Sequence, residues 1–353
     1  MPPENPLAED LDHILRHTGD LWADVRGRRI FVTGGTGFFG RWLLESFAHA
    51  NRALGLAAQL VVLSRNPAAF TRNAPHLSSD AGIEFVTGDV RTLTARADLG
   101  RFDFMVHAAT ETTAKADEDT PLLMFDTIVS GTRAALDCAV ATGARRFLLT
   151  SSGAVYGRQP SDMTHVPEDY AGAPDSTQTA SAYGEGKRAA EFLCAAYQQR
   201  HGLETTIARC FAFVGPFLPL DAHFAIGNFI RDILDDRVIY VRGDGTPYRS
   251  YLHAADLAIW LWTILLRAPA GSCYNVGSED RRSIRELAEL VAQVGNGPGV
   301  QVANPADPRQ PPAQYVPCCR RARDELSLRE WIDLPNAVER TIRVLRRKDA
   351  RSS

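Results

Sequence analysis

The chain has 353 residues, with 39 Lys and Arg against 42 Asp and Glu, a formal charge of −3. That length buries a large core, and 45% hydrophobic with 23% charged residues excludes a disordered or collagenous chain. So small a net charge produces no field for nucleic acid or an anionic membrane surface.

The opening Met1-Pro2-Pro3-Glu4-Asn5-Pro6 lacks the basic and apolar regions of a secretory signal. Leu7, Leu11, Ile14, Leu15, Leu21 and Trp22 then recur at helical spacing, which predicts one or two amphipathic helices ahead of the first strand. Strands are expected at Arg28–Thr33, Gln59–Leu63, Glu84–Val86, Phe104–His107, Arg146–Thr150 and Thr205–Ala208. Helical patterns lie between them at Arg41–His49, Leu122–Thr142 and Tyr183–His201. This alternation implies βαβ units, hence a Rossmann-type, doubly wound parallel sheet of the α/β class.

After Phe213 the texture changes to short pieces broken by Gly215-Pro216, Leu218-Pro219, Gly243-Asp244-Gly245 and the Pro-rich 304–317 stretch. We read a helical extension at 1–27 and a dinucleotide-binding domain at 28–212, with a returning segment at about 248–278. A smaller, interleaved C-terminal substrate lobe takes 213–247 and 279–345. The most apolar helical stretch, Leu257–Leu266, is about half the length a bilayer span requires. The basic tail (Arg343, Arg346, Arg347, Lys348, Arg351) reads as a solvated helix end. Six scattered cysteines show no CxxC or Cys/His ligand spacing, so no metal site is expected, and reduced thiols fit a cytoplasmic protein.

Thr33-Gly34-Gly35-Thr36-Gly37-Phe38-Phe39-Gly40 follows the first strand and opens a helix. Glycines at this spacing permit a tight turn, room for a pyrophosphate and close packing of helix on strand. The helix start then offers free N–H groups to phosphate. The second strand ends in Ser64-Arg65 rather than an acid. An acid there would bond the ribose diol of NAD, whereas Arg accommodates a 2′-phosphate, so the cofactor reads as NAD(P) with a lean to NADP. Asp89-Val90 closes the third strand, where the Asp can meet the adenine amino group. His107-Ala108-Ala109-Thr110 closes the fourth and joins the cofactor set as small residues at the sheet edge; the ring of His107 itself reads as packing.

Two segments carry chemistry. Ser152 lies at the end of the fifth strand, and Tyr183 and Lys187 sit one turn apart on one helix face. An ammonium beside a phenol favours the phenolate, which can take a proton from a hydroxyl as hydride leaves its carbon. Ser152 can hold the same hydroxyl.

In this order, the glycine loop, the Ser-rich strand end and YxxxK resemble the extended short-chain dehydrogenase/reductase family of nucleotide-sugar epimerases and dehydratases, over about Arg28 to Asn336. Arg209–Pro216, Gly243–His253, Asp256 and Tyr274–Ser278 also look like family segments. The resemblance implies bound NAD(P), a nucleotide-diphosphate sugar gripped by Asn228, Arg249 and more loosely Arg309, and a homodimer built through helices 122–142 and 183–201. Where family dehydratases carry Asp-Glu after the Ser/Thr, this chain has Gly153-Ala154, and family decarboxylases usually carry Glu at the second position. Ile128 and Ala212 stand where the family has Asn. The long stretch 158–179, with Glu168, Asp169, Tyr170 and Asp175, is placed to line a sugar site.

Without an acid–base pair the reading is C4 epimerisation through a 4-keto sugar. Alternatives are an NADPH-dependent 4-ketosugar reductase, or a 4,6-dehydratase recruiting Glu111 or Glu185. Outside enzymes stands a silent nucleotide- or sugar-binding module, against which the intact Ser152, Tyr183 and Lys187 set argues.

Overall fold

A computed structural model describes residues 5–93, 97–110, 121–222 and 224–352. Six strands form in the first two-thirds of the chain: β1 (Arg29–Thr33), β2 (Gln59–Ser64), β3 (Ile83–Thr87), β4 (Phe104–His107), β5 (Arg146–Ser152) and β6 (Glu204–Cys210). Four short ones follow, β7 (Phe213–Val214), β8 (Ile239–Val241), β9 (Tyr248–Arg249) and β10 (Leu252–His253). Then β11 (Cys273–Val276) returns to the main sheet, whose order is β3-β2-β1-β4-β5-β6-β11 with every pairing parallel. The order reverses between β1 and β4, and the carboxyl ends of those strands bound the crevice where such sheets bind ligands.

The helices are α1 (Ala8–Thr18), α2 (Phe38–Leu54), α3 (Pro67–Asn73), α4 (Pro75–Ser78), α5 (Pro121–Ala141), α6 (Ala182–His201), α7 (Ala225–Leu234), α8 (Ala254–Arg267), α9 (Ile284–Gly295), α10 (Arg320–Leu326) and α11 (Leu334–Ser352). Successive strand residues face opposite sides. Ile30, Val32, Leu60 and Val62 pack with α2 and α8, while Phe31, Val61, Met105 and Phe147 pack with α5 and α6. Burial on both faces explains why these strands read as unbroken apolar runs. β5 and β6 run two residues beyond their expected ends, bringing Ser152 beside Cys210 in register. The helix α2 begins three residues earlier than its periodicity suggested, because Gly40 lies inside its first turn, and it runs on to a left-handed cap at Gly55.

The remaining short strands form three small sheets. β12 (Arg282–Ser283) pairs antiparallel with β9, and β14 (Gln314–Tyr315) pairs parallel on the other edge of β9. β13 (Val300–Val302) pairs with β8, and β7 with β10.

The apolar stretch noted at 257–266 belongs to α8, which is buried all round. The sheet covers one side, and the N-terminal segment covers another through Leu7, Leu11, Ile14 and Trp22, whose indole lies 5.0 Å from that of Trp262. Among the described residues no helix is long and apolar enough to cross a membrane. The buried carboxylate of Asp256 on α8 accepts from Trp331 N and Ile332 N (2.9 Å each) and bonds His13 Nε2 at 2.9 Å, tying α1, α8 and the loop before α11 together. Nor is the basic tail merely solvated. Arg340 pairs with Asp10 and Arg343 with Glu9, each at 2.7 Å, so α11 is bonded to α1.

The N-terminal segment is therefore part of the core. Trp22→Ala removes a side chain that is 1% exposed, together with its bond to Thr18, and is expected to cost about 3–5 kcal/mol in urea denaturation.

Candidate active site

The glycine turn is shaped by contact between backbones. Gly34 has φ +73°, and a Cβ on it would stand 2.4 Å from the carbonyl carbon of Ala108. On Gly40 a Cβ would meet Gly34 O at 2.3 Å, and on Gly35 it would strike Val62 Cγ1 at 2.6 Å. Gly37 differs: its φ is −85°, and the nearest atom to an added Cβ is Gly34 O at 3.5 Å, an ordinary contact. Gly37 caps α2 without any side-chain bond, so the opening N–H groups of the helix have no side-chain cap.

Gly34, Thr36 and Gly37 line a crevice with Ser64 and Arg65 from the end of β2, Asp89 and Val90 after β3, and Ala108, Ala109 and Thr110 after β4. Most of the expected cofactor residues thus meet at the strand-order reversal. Seven do not line the crevice: Gly35 and Gly40 are packed inside the turn, Tyr183 and Lys187 lie on α6, and Phe38, Phe39 and His107 are taken up elsewhere. Phe38 and Phe39 turn into packing, the latter edge-on to Phe213 at 5.1 Å. His107 is buried with Nδ1 2.7 Å from Thr33 Oγ1 and Nε2 3.1 Å from Thr132 Oγ1. Burial lowers its pKa to about 3, so it is a neutral tie between β1, β4 and α5.

Arg91, absent from the sequence-derived set, also lines the crevice. Its guanidinium holds both oxygens of Asp89, at 3.1 and 2.7 Å, and keeps that carboxyl below the usual range. Asp89 therefore faces the crevice as one half of an ion pair.

At the reaction end, Lys187 is buried and donates to Thr110 Oγ1 and Thr150 O, each at 2.8 Å. Burial brings its pKa down to about 8. Its Nζ lies 5.8 Å from the centre of the Tyr183 ring. The Ser152 hydroxyl accepts from Ala154 N at 3.1 Å and is 3.4 Å from Tyr315 OH. Tyr183 and Tyr315 line one cleft with Ala154, Arg158, Asp175 and Ser181. Tyr315 and Arg158 were not singled out from the sequence. Tyr315 arrives on β14, far along the chain, and no local pattern marks it; burial pushes its phenol up to about 12. Its ring packs against Phe211, centroids 4.7 Å apart.

At 153, the first position after Ser152, any side chain would be crowded. A Cβ on Gly153 would lie 2.7 Å from the Phe211 ring and 2.9 Å from Tyr315 OH. Of the two alternative acids, Glu185 pairs with Arg188 and does not line the cleft, and Glu111 lies outside the described residues. Ile128 is buried, its Cδ1 3.2 Å from where a Cβ on Gly186 would be, and it adds no polar group. In the 158–179 stretch Asp175 lines the cleft, whereas Glu168 turns inward to accept from Asn275 N at 2.9 Å and Tyr170 packs near Tyr156.

The expected substrate grips are not all in one place. Asn228 on α7 lines a second cleft with Arg231, Arg237, Tyr240 and Arg242. Arg249 is outside that lining; it donates to Tyr248 O at 2.7 Å and its guanidinium carbon is 5.9 Å from the Tyr315 ring centre. Arg309 stands 89% exposed on a loop, paired with its neighbour Asp307, and lines none of these three clefts.

The contrast among the glycines is testable. Gly37→Ala is expected to keep the thermal midpoint of the wild type while dinucleotide affinity falls at least about tenfold, since the methyl enters the crevice and not the core. Gly34→Ala is expected to destabilise the fold itself, because both φ and space forbid it.

Residues 30–277 match the NAD dependent epimerase/dehydratase family. The chain is 30% identical over 316 residues to UDP-glucuronic acid decarboxylase 1 of Arabidopsis thaliana, covering 89% of this chain and 69% of that one. It is 27% identical over 323 residues to the dTDP-glucose 4,6-dehydratase of Streptomyces antibioticus, covering 89% and 91% respectively. Among solved structures, the dTDP-glucose 4,6-dehydratase of Streptomyces venezuelae with NAD bound superposes with a TM-score of 0.76 at 25% identity, over 91% of this chain and 98% of the other. With the crevice and the strand order already described, the match over most of the chain makes it a member of the NAD-dependent epimerase/dehydratase family of enzymes.

Proposed function

We propose that the chain is a nucleotide-sugar C4 epimerase working through a transient 4-keto sugar. The observation that supports this is Tyr183 with Lys187 one turn along α6, Ser152 at the end of β5, and a Gly153 position where Phe211 and Tyr315 crowd any added side chain. Water elimination needs an acid and a base beside the sugar, whereas epimerisation needs one proton carrier and room for the ketone to turn.

The crevice fits a dinucleotide: it has an uncapped helix start and a turn whose Gly37 leaves space on the crevice side. Bound NAD(P) would supply the acceptor that takes hydrogen from C4 with its electron pair and returns it. Arg65 and Arg91 both line the adenosine end, and Asp89 is already engaged, which supports the NADP form; the solved relative holds NAD. Tyr183 takes the proton of the sugar hydroxyl, and the Lys187 ammonium stabilises the negative charge that the phenolic oxygen bears. Ser152 orients the same hydroxyl. Asn228 and its neighbouring arginines suit the nucleotide diphosphate, and Arg249 lies towards the sugar end beside Tyr315. Leu122, Leu123 and Val140 on α5 and Phe192 on α6 are exposed, which supports pairing of two copies through these helices.

Purified protein incubated with UDP- and dTDP-sugars is expected to interconvert C4 epimers with no net change in NAD(P)H. Release of water or CO₂, or stoichiometric NAD(P)H consumption, overturns the epimerase reading. Mass spectrometry of nucleotides released on denaturation decides between NAD and NADP. Tyr183→Phe is expected to lower kcat by about 10²–10⁴-fold. The ammonium of Lys187 is present below about pH 8 and lost above it, so kcat is expected to fall as pH rises through that value. A flat pH–rate profile across it removes the lysine's electrostatic role.

A further inference from the structure

Two charged side chains share the cleft of Tyr183 and Tyr315, and their circumstances differ. Asp175 is closed into its own turn, its Oδ1 accepting from Thr177 N at 2.9 Å and from Thr177 Oγ1 at 2.7 Å. Arg158 has no such engagement: among the described residues, no carboxylate lies within ion-pair distance of its guanidinium and no hydrogen bond holds it. Arginines of the surrounding segments are all occupied. Arg188 donates to Val155 O and Gly172 O, Arg209 is paired with Glu191, and Arg249 is bonded to Tyr248 O.

The base from which Arg158 projects is rigid. Gly157 before it has φ +68°, and a Cβ there would stand 2.1 Å from Ala173 O, so the turn is pressed backbone to backbone against 173–174. The two Arg188 bonds clamp the same turn from the helix side. The cleft that holds Tyr183 therefore presents, from a rigid turn, a guanidinium with no carboxylate within ion-pair distance among the described residues. The positions after Ser152, Gly153 and Ala154, contribute no carboxylate to neutralise it.

We propose that Arg158 is a specificity-determining residue for an anionic sugar ring, and that the substrate class is a nucleotide-linked uronic acid whose carboxylate it grips. A planar guanidinium matches a carboxylate through two parallel N–H···O bonds, and a neutral hydroxymethyl group at the same carbon offers no charge to pair. Asp175 lies beyond ion-pair distance of the guanidinium, and its own turn holds its Oδ1. The assignment rests on the reading of this cleft as the sugar site.

The test is calorimetric, on the full chain loaded with NAD, using UDP-glucuronic acid against UDP-glucose and the corresponding dTDP pair. The uronic acid is expected to bind at least about tenfold more tightly than the neutral sugar, the size of one charge-assisted contact. Raising the salt concentration should shrink that ratio, because the pair is exposed. Arg158→Gln is expected to bring the two affinities within about twofold of each other, and Arg158→Lys to retain part of the preference. Arg158 is exposed, and an unchanged thermal midpoint for both variants would show that the fold is intact. Equal affinities in the wild type, or a preference that survives Arg158→Gln, overturns the role of Arg158 while leaving the epimerase reading standing. If none of the four sugars binds, the nucleotide-sugar reading falls and this assignment falls with it.

Discussion

At Gly34 the chain leaves β1 and passes against the end of β4 with no side chain between the two backbones. The approach is so close that a single added carbon would sit 2.4 Å from Ala108. Gly40 repeats the constraint one turn into α2, against Gly34 itself. These contacts set the start of α2 over the strand-order reversal, and the rest of the site is built outward from them. Ala108 leads to Thr110, whose hydroxyl receives Lys187, and Lys187 stands one helical turn from Tyr183. A short run of contacts thus joins the glycine turn to the Tyr183 phenol, so displacing the turn displaces the surroundings of both.

The lysine in that run is an uneasy group. It is a buried cation whose two protein partners are neutral, a hydroxyl and a carbonyl. Glu191, one turn further along α6, contributes some attraction, but its carboxylate is committed to Arg209 and Ser151. Ile128 supplies a methyl surface nearby rather than an amide. Desolvation therefore dominates and brings the ammonium close to its titration point. Such an arrangement costs stability, and folds retain it where a ligand completes the bonding. An ammonium has three donors, two of which are used here, so one remains for what binds in the crevice.

Much of this architecture was legible because it is local. Strands covered on both faces are continuous apolar runs, so β1, β2, β4 and β5 stand out, and the glycine turn and YxxxK pair carry their spacing within a few residues. The residues that escaped are those whose meaning depends on distant partners. Tyr315 is brought to Ser152 only because β14 pairs with β9, and two-residue strands leave no periodic trace. Arg343 of the basic tail looked solvated because its partner, Glu9, lies at the opposite end of the chain. Arg309 misled for the converse reason: its sequence neighbourhood suggested a phosphate contact, while the loop that carries it turns to solvent. His107 was read correctly as packing in its ring, since a histidine at a strand end with two threonine partners has no donor or acceptor to spare.

The departure at Gly153 bears on the chemistry more than its size suggests. An acid missing from a family position invites the view that one substitution separates two activities. Here the space is not vacant. The rings of Phe211 and Tyr315 pack against each other, tilted by 39°, and a Cβ added at Gly153 would stand 2.7 Å from the first and 2.9 Å from the hydroxyl of the second. A side chain at 153 would have to move the edge of Phe211 and the hydroxyl of Tyr315, which lines the cleft. The aromatic pair and the glycine thus form one structural unit, with the proton traffic left to Tyr183. A carboxylate at 153 is disfavoured by packing, whereas at Ala154, which lines the cleft, the acid is absent by sequence alone.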